Sequence, residues 1–408
     1  MAKRKTTAVE QFNNDDFFAT QLAQREKENF DKIVIGLPLN AISLRYIFSN
    51  DVFPYSRVTE LVGVSESCKT AFLFEIYRWH IFNTTDLVTY DPSEMHGGYV
   101  HNLVEPRDSP DLRESILQLG PYSPYPVIQS DSVEDWQKSC TDWVKKAEER
   151  FELGAMPYPV ALGVDSLTAV TTQDEMDKTW SQGFADPGYS QIAKSINLWF
   201  KVFCNKMARW PVSFVGVNHL KEHRAANGAI DRKIPGGTAI KFASTFLLRL
   251  SRKDDIETLN ESGRYIEIAT EKNSLSPANH EKLKVRMTWR FDENGEQQTI
   301  WDWHDSSIEL LTSFDATRKR RISEIINIES VDKSRRTADC PTLGLKKTSW
   351  HELGKAIMEE PEIVKGLDRF FGVRNRRKFE LGVPYCEQVD KAKLDASYLG
   401  GLDGESAD

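Results

Sequence analysis

Between Val58 and Tyr77 a buried-strand pattern, a glycine-led loop and an apolar helical pattern follow one another without interruption. That order restricts the fold more than any other stretch of the chain. Val58-Thr59-Glu60-Leu61-Val62 is β-branched and apolar, and Ala71-Phe72-Leu73-Phe74-Glu75-Ile76-Tyr77 continues at helical spacing. The loop between them is Gly63-Val64-Ser65-Glu66-Ser67-Cys68-Lys69-Thr70. In such a turn, successive backbone N–H groups and the positive end of the following helix make a concave anion site. The pattern reads as a phosphate-binding P-loop of Walker A type. Gly63, Ser65, Glu66, Ser67 and Cys68 form the cradle, Lys69 reaches the outer phosphates, and the Thr70 hydroxyl holds Mg²⁺. It calls for glycine directly before the lysine, where this chain has Cys68, whose Cβ restricts backbone angles that glycine leaves open. The competing reading is a chance glycine loop ending in Lys-Thr.

A chain of 408 residues is long enough for two or three structural units, one with a sizeable core. No apolar run approaches the length of a membrane span, and no apolar stretch follows Met1-Ala2-Lys3-Arg4-Lys5 to make a signal peptide, so a cytoplasmic protein without membrane contact is expected. The five cysteines, Cys68, Cys140, Cys204, Cys340 and Cys386, form no Cys-x-x-Cys pair and indicate neither a zinc ribbon nor a disulfide framework. A net charge of −8 argues against a nucleic-acid binder that uses its whole surface, and leaves room for a local basic groove.

Residues 1–32 read as an arm with a short helix anchored by Phe17, Phe18 and Leu22, suited to docking on a neighbouring subunit. From 33 to 312, apolar strand runs (Val58 to Val62, Leu87 to Tyr90, Val160 to Val164, Val212 to Val217, Phe246 to Leu250) alternate with helical stretches. This predicts an α/β core with a mostly parallel central sheet covered on both faces. Residues 313–385 read as a linker and a small helical unit: Arg318 to about Lys347 is charged and rich in Ser, Thr and Asp, and Ser349-x-x-Glu352 is a capping box before an apolar helical run. Residues 386–408 read as an acidic, mobile tail.

Three further strand ends point chemistry at the same sheet edge. Val160 to Val164 runs into Asp165, positioned to hold the Mg²⁺ shell, or alternatively to cap the next helix. Leu87 to Asp91 leads to Glu94, a candidate for polarising water, with Asp91 as competitor and a solvated turn as the plain reading. Val212 to Val217 ends in Asn218-His219, polar groups suited to sensing a γ-phosphate. The stretch from Leu220 to Pro235 carries Lys221, Arg224, Arg232 and Lys233 and is followed by Gly236-Gly237-Thr238. It is a flexible basic loop suited to a phosphate backbone, or a solvated charged loop. His219-Leu220-Lys221-Glu222-His223 also spells H-x-x-E-H, a zinc-peptidase pattern that requires both histidines on one helix face.

In this order the segments resemble the RecA-type recombinases, and more closely the UvsX recombinases of tailed phages. The resemblance spans roughly residues 40 to 305 and is carried by Gly63 to Thr70, Tyr90-Asp91 with Glu94, Val164-Asp165-Ser166-Leu167, Val217-Asn218-His219, Pro235-Gly236-Gly237-Thr238 and Glu271-Lys272. It implies an ATP- and Mg²⁺-dependent, DNA-stimulated ATPase. By the resemblance, Lys69 and Thr70 act on phosphates and metal, Asp165 on the metal, Glu94 as catalytic carboxylate and His219 as γ-phosphate sensor. Lys272 is the cation that reaches a neighbour's ATP, and Tyr99 stacks on adenine. The second cation of that family is Ser274 here. Thr171 to Ser190 and Leu220 to Pro235 would be the two DNA-binding loops, with Lys221, Arg224, Arg232, Lys233, Gly236 and Gly237 carrying most phosphate contact, since Asp174, Glu175 and Asp177 make the first loop acidic.

The function expected is homologous pairing and strand exchange in recombination and repair, by helical filaments of the protein on single-stranded DNA that engage duplex DNA. A loader and a single-strand-binding protein are open as partners, and the bacterial host cytoplasm is the compartment if the chain is phage-encoded. Two rivals stand beside it: a RecA-fold hexameric helicase or motor that closes into a ring, and a nucleotide-binding structural filament with weak turnover.

Overall fold

The computed structural model describes residues 34–84, 97–102, 127–152, 159–182, 189–224, 230–235, 238–257, 261–276, 281–291, 297–380, 383 and 385–402. The expected arm, the strand Leu87 to Tyr90, Glu94 with Asp91, Gly236 and Gly237 lie outside these residues. In chain order the strands are β1 (Ile35–Pro38), β2 (Val52–Pro54), β3 (Arg57–Gly63), β4 (Gly97–Asn102), β5 (Val127–Ser130), β6 (Val160–Asp165), β7 (Val212–His219), β8 (Lys221–Arg224), β9 (Ile230–Lys233), β10 (Phe246–Glu257), β11 (Ser262–Asn273), β12 (Lys282–Phe291), β13 (Gln297–Asp302), β14 (Glu329–Asp332), β15 (Thr337–Cys340), β16 (Leu345–Ser349) and β17 (Arg377–Lys378). The helices are α1 (Ile42–Phe48), α2 (Lys69–Thr84), α3 (Val133–Glu152), α4 (Gln173–Gln182), α5 (Tyr189–Met207), α6 (Thr238–Ala243), α7 (Trp303–Ser313), α8 (Ala316–Ser323), α9 (Trp350–Met358), α10 (Pro361–Phe371) and α11 (Tyr385–Leu402).

The chain is α/β, built on a nine-stranded mixed sheet of order β13-β12-β11-β10-β3-β7-β6-β4-β5. From β10 to β5 every pairing is parallel, and β10 to β13 form an antiparallel ribbon continuing the same sheet. The parallel strands are apolar on both faces because helices cover both. On β6, Ala161 packs to one side with Phe72, Leu73 and Tyr77 of α2, whereas Val160, Leu162 and Val164 pack to the other with Trp136 of α3 and Phe200 of α5. Helix α2 lies so close to β6 that a Cβ at Gly163 would fall 2.2 Å from the Tyr77 hydroxyl. Glu75, buried in α2, accepts from the indoles of Trp79 and Trp303 at 2.9 Å each, which fastens α2 to the start of α7.

Beyond the sheet the structure departs from the sequence expectation. Residues expected to form a linker contribute α8 and a three-stranded antiparallel sheet, β14-β15-β16, so this stretch is folded. Its core joins Ile322, Ala338, Cys340, Trp350, Leu353 and Leu367 to Ile308 and Leu311 of α7. The capping box does start a helix: the Ser349 hydroxyl accepts from the Glu352 N–H at 3.2 Å. Tyr385–Leu402, most of it expected as tail, is helical. Strand β17 pairs in parallel with β1, which carries the C-terminal chain back to the first described strand. No helix among the described residues is long and apolar enough to cross a membrane.

Candidate functional site

The segment read as a phosphate-binding loop is a strand-to-helix turn. Strand β3 ends at Gly63 and α2 begins at Lys69. A Cβ on Gly63 would fall 2.3 Å from Ser67 Oγ and 2.6 Å from the Leu250 carbonyl oxygen, so the loop folds back over a position that only glycine fits. Glu66 and Cys68 take φ values of 63° and 62°, the left-handed region. Cys68 therefore holds a backbone that favours glycine, at a strain of about 1–2 kcal/mol.

Lys69 is 4% exposed. Its ammonium donates to the Val64 carbonyl at 2.8 Å and to Ser67 Oγ at 3.3 Å, which holds it inside the loop. The Thr70 hydroxyl donates to the Asp165 carboxylate. Asp165 ends β6 and is buried. His219 ends β7 and is the register partner of Gly63, and the Leu220 N–H donates to the Gly63 carbonyl at 3.0 Å. Burial, together with the nearby charge of Lys69, lowers the His219 imidazole to about 4, so it is neutral near pH 7. Gly63, Lys69, Thr70, Asp165 and His219 thus converge at the carboxyl edge of the parallel strands, where open α/β sheets form their crevices.

Other expected residues lie elsewhere or are only partly defined. Lys272, on β11, donates to the carbonyls of Lys241 at 2.6 Å and Phe242 at 3.1 Å, so within its own chain it closes the end of α6. Asn218 is fully buried, and its amide is used within the protein rather than facing a ligand. Tyr99 lies in β4 opposite Gly163, with only its backbone described. Of the first expected DNA loop, Gln173–Gln182 is helix α4. The second is an antiparallel hairpin, β8-β9, in which Lys221 opposes Lys233, Glu222 opposes Arg232 and Arg224 opposes Ile230. Because His219 ends β7 and His223 lies in β8, the H-x-x-E-H run does not place two histidines on one helix face. Among the described residues no group of three or more His, Cys, Asp or Glu is arranged to hold a metal ion.

Three residues beside the loop escape the sequence reading. Arg252 of β10 lies 3.5 Å from the Glu66 carboxylate. Arg264 of β11 reaches Cys68 Sγ at 4.0 Å and stacks over Trp289 at 4.7 Å. Both arginines join the loop from almost two hundred residues downstream, a separation that no local pattern records. Glu60 is the third, and its signal was present: a carboxylate at the centre of a strand buried on both faces.

Neither a protein-family model nor a curated protein matches this chain.

Proposed function

We propose that this chain is an ATP-dependent DNA recombinase with a RecA-like P-loop core, which forms helical filaments on single-stranded DNA and catalyses pairing and strand exchange with duplex DNA. The observation that carries the reading is the meeting of Lys69, Thr70 and Asp165 at a strand-to-helix turn, with neutral His219 in register beside it. The donor set suits a Mg²⁺-nucleotide. The N–H groups at the start of α2 would face an anion, Lys69 adds a charge, and a hydroxyl already paired with a carboxylate is the usual pairing at such a metal. Bound ATP would bring the scissile phosphoryl group, and Mg²⁺ would neutralise the charge that develops on it.

This chain's own groups have separate tasks in that scheme. Lys69 would exchange its bonds to Val64 and Ser67 for phosphate oxygens. Thr70 and Asp165 would hold the metal. His219, uncharged, senses the terminal phosphate by a hydrogen bond and not by charge. Glu94 is the proposed water-polarising carboxylate and Tyr99 the adenine neighbour. The β8-β9 hairpin starts two residues after His219, and its cross-strand Lys221 and Lys233 are like charges that an anionic backbone would relieve. Lys272 is the proposed cation toward an adjacent protomer.

The test is the ATP hydrolysis rate of wild type and Lys69→Ala, each with and without single-stranded DNA. DNA stimulation that is lost in the variant supports the reading; a wild-type rate that is absent or indifferent to DNA overturns it. A structural filament with weak turnover is the second reading. The strained backbone at Cys68 and the engagement of Lys272 within its own chain favour it. Filaments in negative-stain images without DNA-stimulated hydrolysis would select it, and closed rings would select a motor.

A further inference from the structure

Glu60 lies three residues before Gly63, in the middle of β3, and is completely buried. A carboxyl group there is costly unless partners satisfy it, and its partners come from different parts of the chain. Asn218 Nδ2, on β7, donates to Glu60 Oε1 at 3.2 Å, and Ser244 Oγ, just beyond α6, donates to Oε2 at 3.4 Å. The same Asn218 amide donates to the Pro235 carbonyl at 3.0 Å, where the chain leaves the β8-β9 hairpin. Asn218 Oδ1 accepts from the Thr168 hydroxyl at 2.8 Å, in the turn that follows Asp165. One carboxyl group, through one amide, therefore touches the strand that carries the phosphate loop, the neighbour of His219 and the exit of the basic hairpin.

We propose that Glu60 is a proton-carrying positioning residue whose ionisation sets how firmly Asn218 holds the hairpin exit to the phosphate-loop strand. When Glu60 is ionised, Asn218 donates to a carboxylate, a charge-assisted bond about twice as strong as a neutral one. When Glu60 is protonated, Oε2 donates to Ser244 Oγ, whose single hydrogen then turns from Oε2 to the Ile240 carbonyl 2.7 Å away. Asn218 then faces only a neutral oxygen, and the grip slackens.

Burial raises the Glu60 carboxyl to about 7, which places this change in the physiological range. The charged groups around it are Glu271 and Lys272 of β11, which act in opposite directions on it. Arg249 of β10 is taken up by Glu271 at 3.0 Å. On α6 the nearest is exposed Lys241, and on β7 it is His219, already neutral.

The inference deepens the nucleotide reading, but its first test needs no nucleotide. Hydrogen exchange of the amides in Lys221–Arg224 and Ile230–Lys233, corrected for intrinsic rate, is followed from pH 6 to pH 8 in the full chain. Wild type should gain about tenfold protection as pH rises, and Glu60→Gln should stay at the low-pH level throughout. Equal wild-type protection at both ends, or an unchanged pH dependence in Glu60→Gln, overturns the proposal. Should Glu60→Gln fail to fold, Asn218→Ala serves instead: loss of the pH dependence supports the proposal and its persistence overturns it. Binding of a fluorescent ATP analogue, measured in parallel, separates the two readings. PH-dependent exchange without nucleotide binding upholds the linkage and removes the ATPase, and nucleotide binding with pH-independent exchange does the reverse.

Discussion

Gly63 and His219 are register partners on adjacent parallel strands, so the residue that opens the strand-to-helix turn and the residue that ends β7 occupy one level of the sheet. A backbone bond from Leu220 to Gly63 fixes that level.

The first prediction concerns the charge of His219. Its folded-state pKa, about 4, lies below the ordinary histidine value, so the stability tied to neutral His219 is present above pH 6.5 and is lost as pH falls toward 4. Its ring proton shifts, followed by NMR, should stay flat from pH 5.5 to 8. His219→Gln, which keeps an uncharged hydrogen-bonding group, should retain more ATP turnover than His219→Ala.

Cys68 tests the loop backbone. At φ 62° a β-branched side chain is worse than cysteine, so Cys68→Val should lose about 2 kcal/mol in thermal or denaturant unfolding. Cys68→Gly should be within about 1 kcal/mol of wild type, because the relieved strain is offset by the greater chain entropy of glycine. If the left-handed geometry limits turnover through its strained cysteine, the glycine variant hydrolyses ATP faster.

Removal of the Thr70 hydroxyl leaves the buried Asp165 carboxylate without that donor. Thr70→Val should cost about 1–2 kcal/mol of stability in the absence of ligand. In calorimetric titrations it should also lose the part of nucleotide affinity that depends on Mg²⁺, while Thr70→Ser keeps most of it.

Glu60 links stability to pH with a definite sign. Its folded pKa, about 7, lies above the ordinary glutamate value, so the folded chain holds this proton more tightly than the unfolded chain. The associated stability is complete below pH 4.5 and is lost as pH rises through 7, to a total on the order of 3 kcal/mol. Paired melting curves of wild type and Glu60→Gln should show wild type losing ground to the variant between pH 5 and 8.

The strand-loop-helix unit was legible from residues 58 to 77 because a mostly apolar strand, a glycine at its end and a mostly apolar helix are each local signals. The strand ends at Asp165 and His219 were legible for the same reason. The folded segment between Arg318 and Lys347 was not: β15 contributes only Ala338 and Cys340 to the core, too short an alternation to rise above its charged neighbours. The antiparallel strands β11 to β13 extend the parallel strands into a mixed sheet, and their partners are chosen by tertiary pairing that no single strand announces. Asn218 was read as facing a ligand because strand ends in such sheets do. Glu60 turned it inward.

The chain returns to its beginning in a way that bears on how it can be cut. Strand β17 lies against β1, Arg374 bridges to Asn50, and the Arg376 N–H donates to Asp51 at 2.7 Å. A truncation ending before Arg374 would strip β1 of a neighbour and bare its polar backbone edge, although everything near the phosphate loop would still be encoded. The segment from Arg374 to Lys378 is thus a buckle on the first described strand, and the sheet that carries the Lys69 loop is not a fragment that can be excised from it intact.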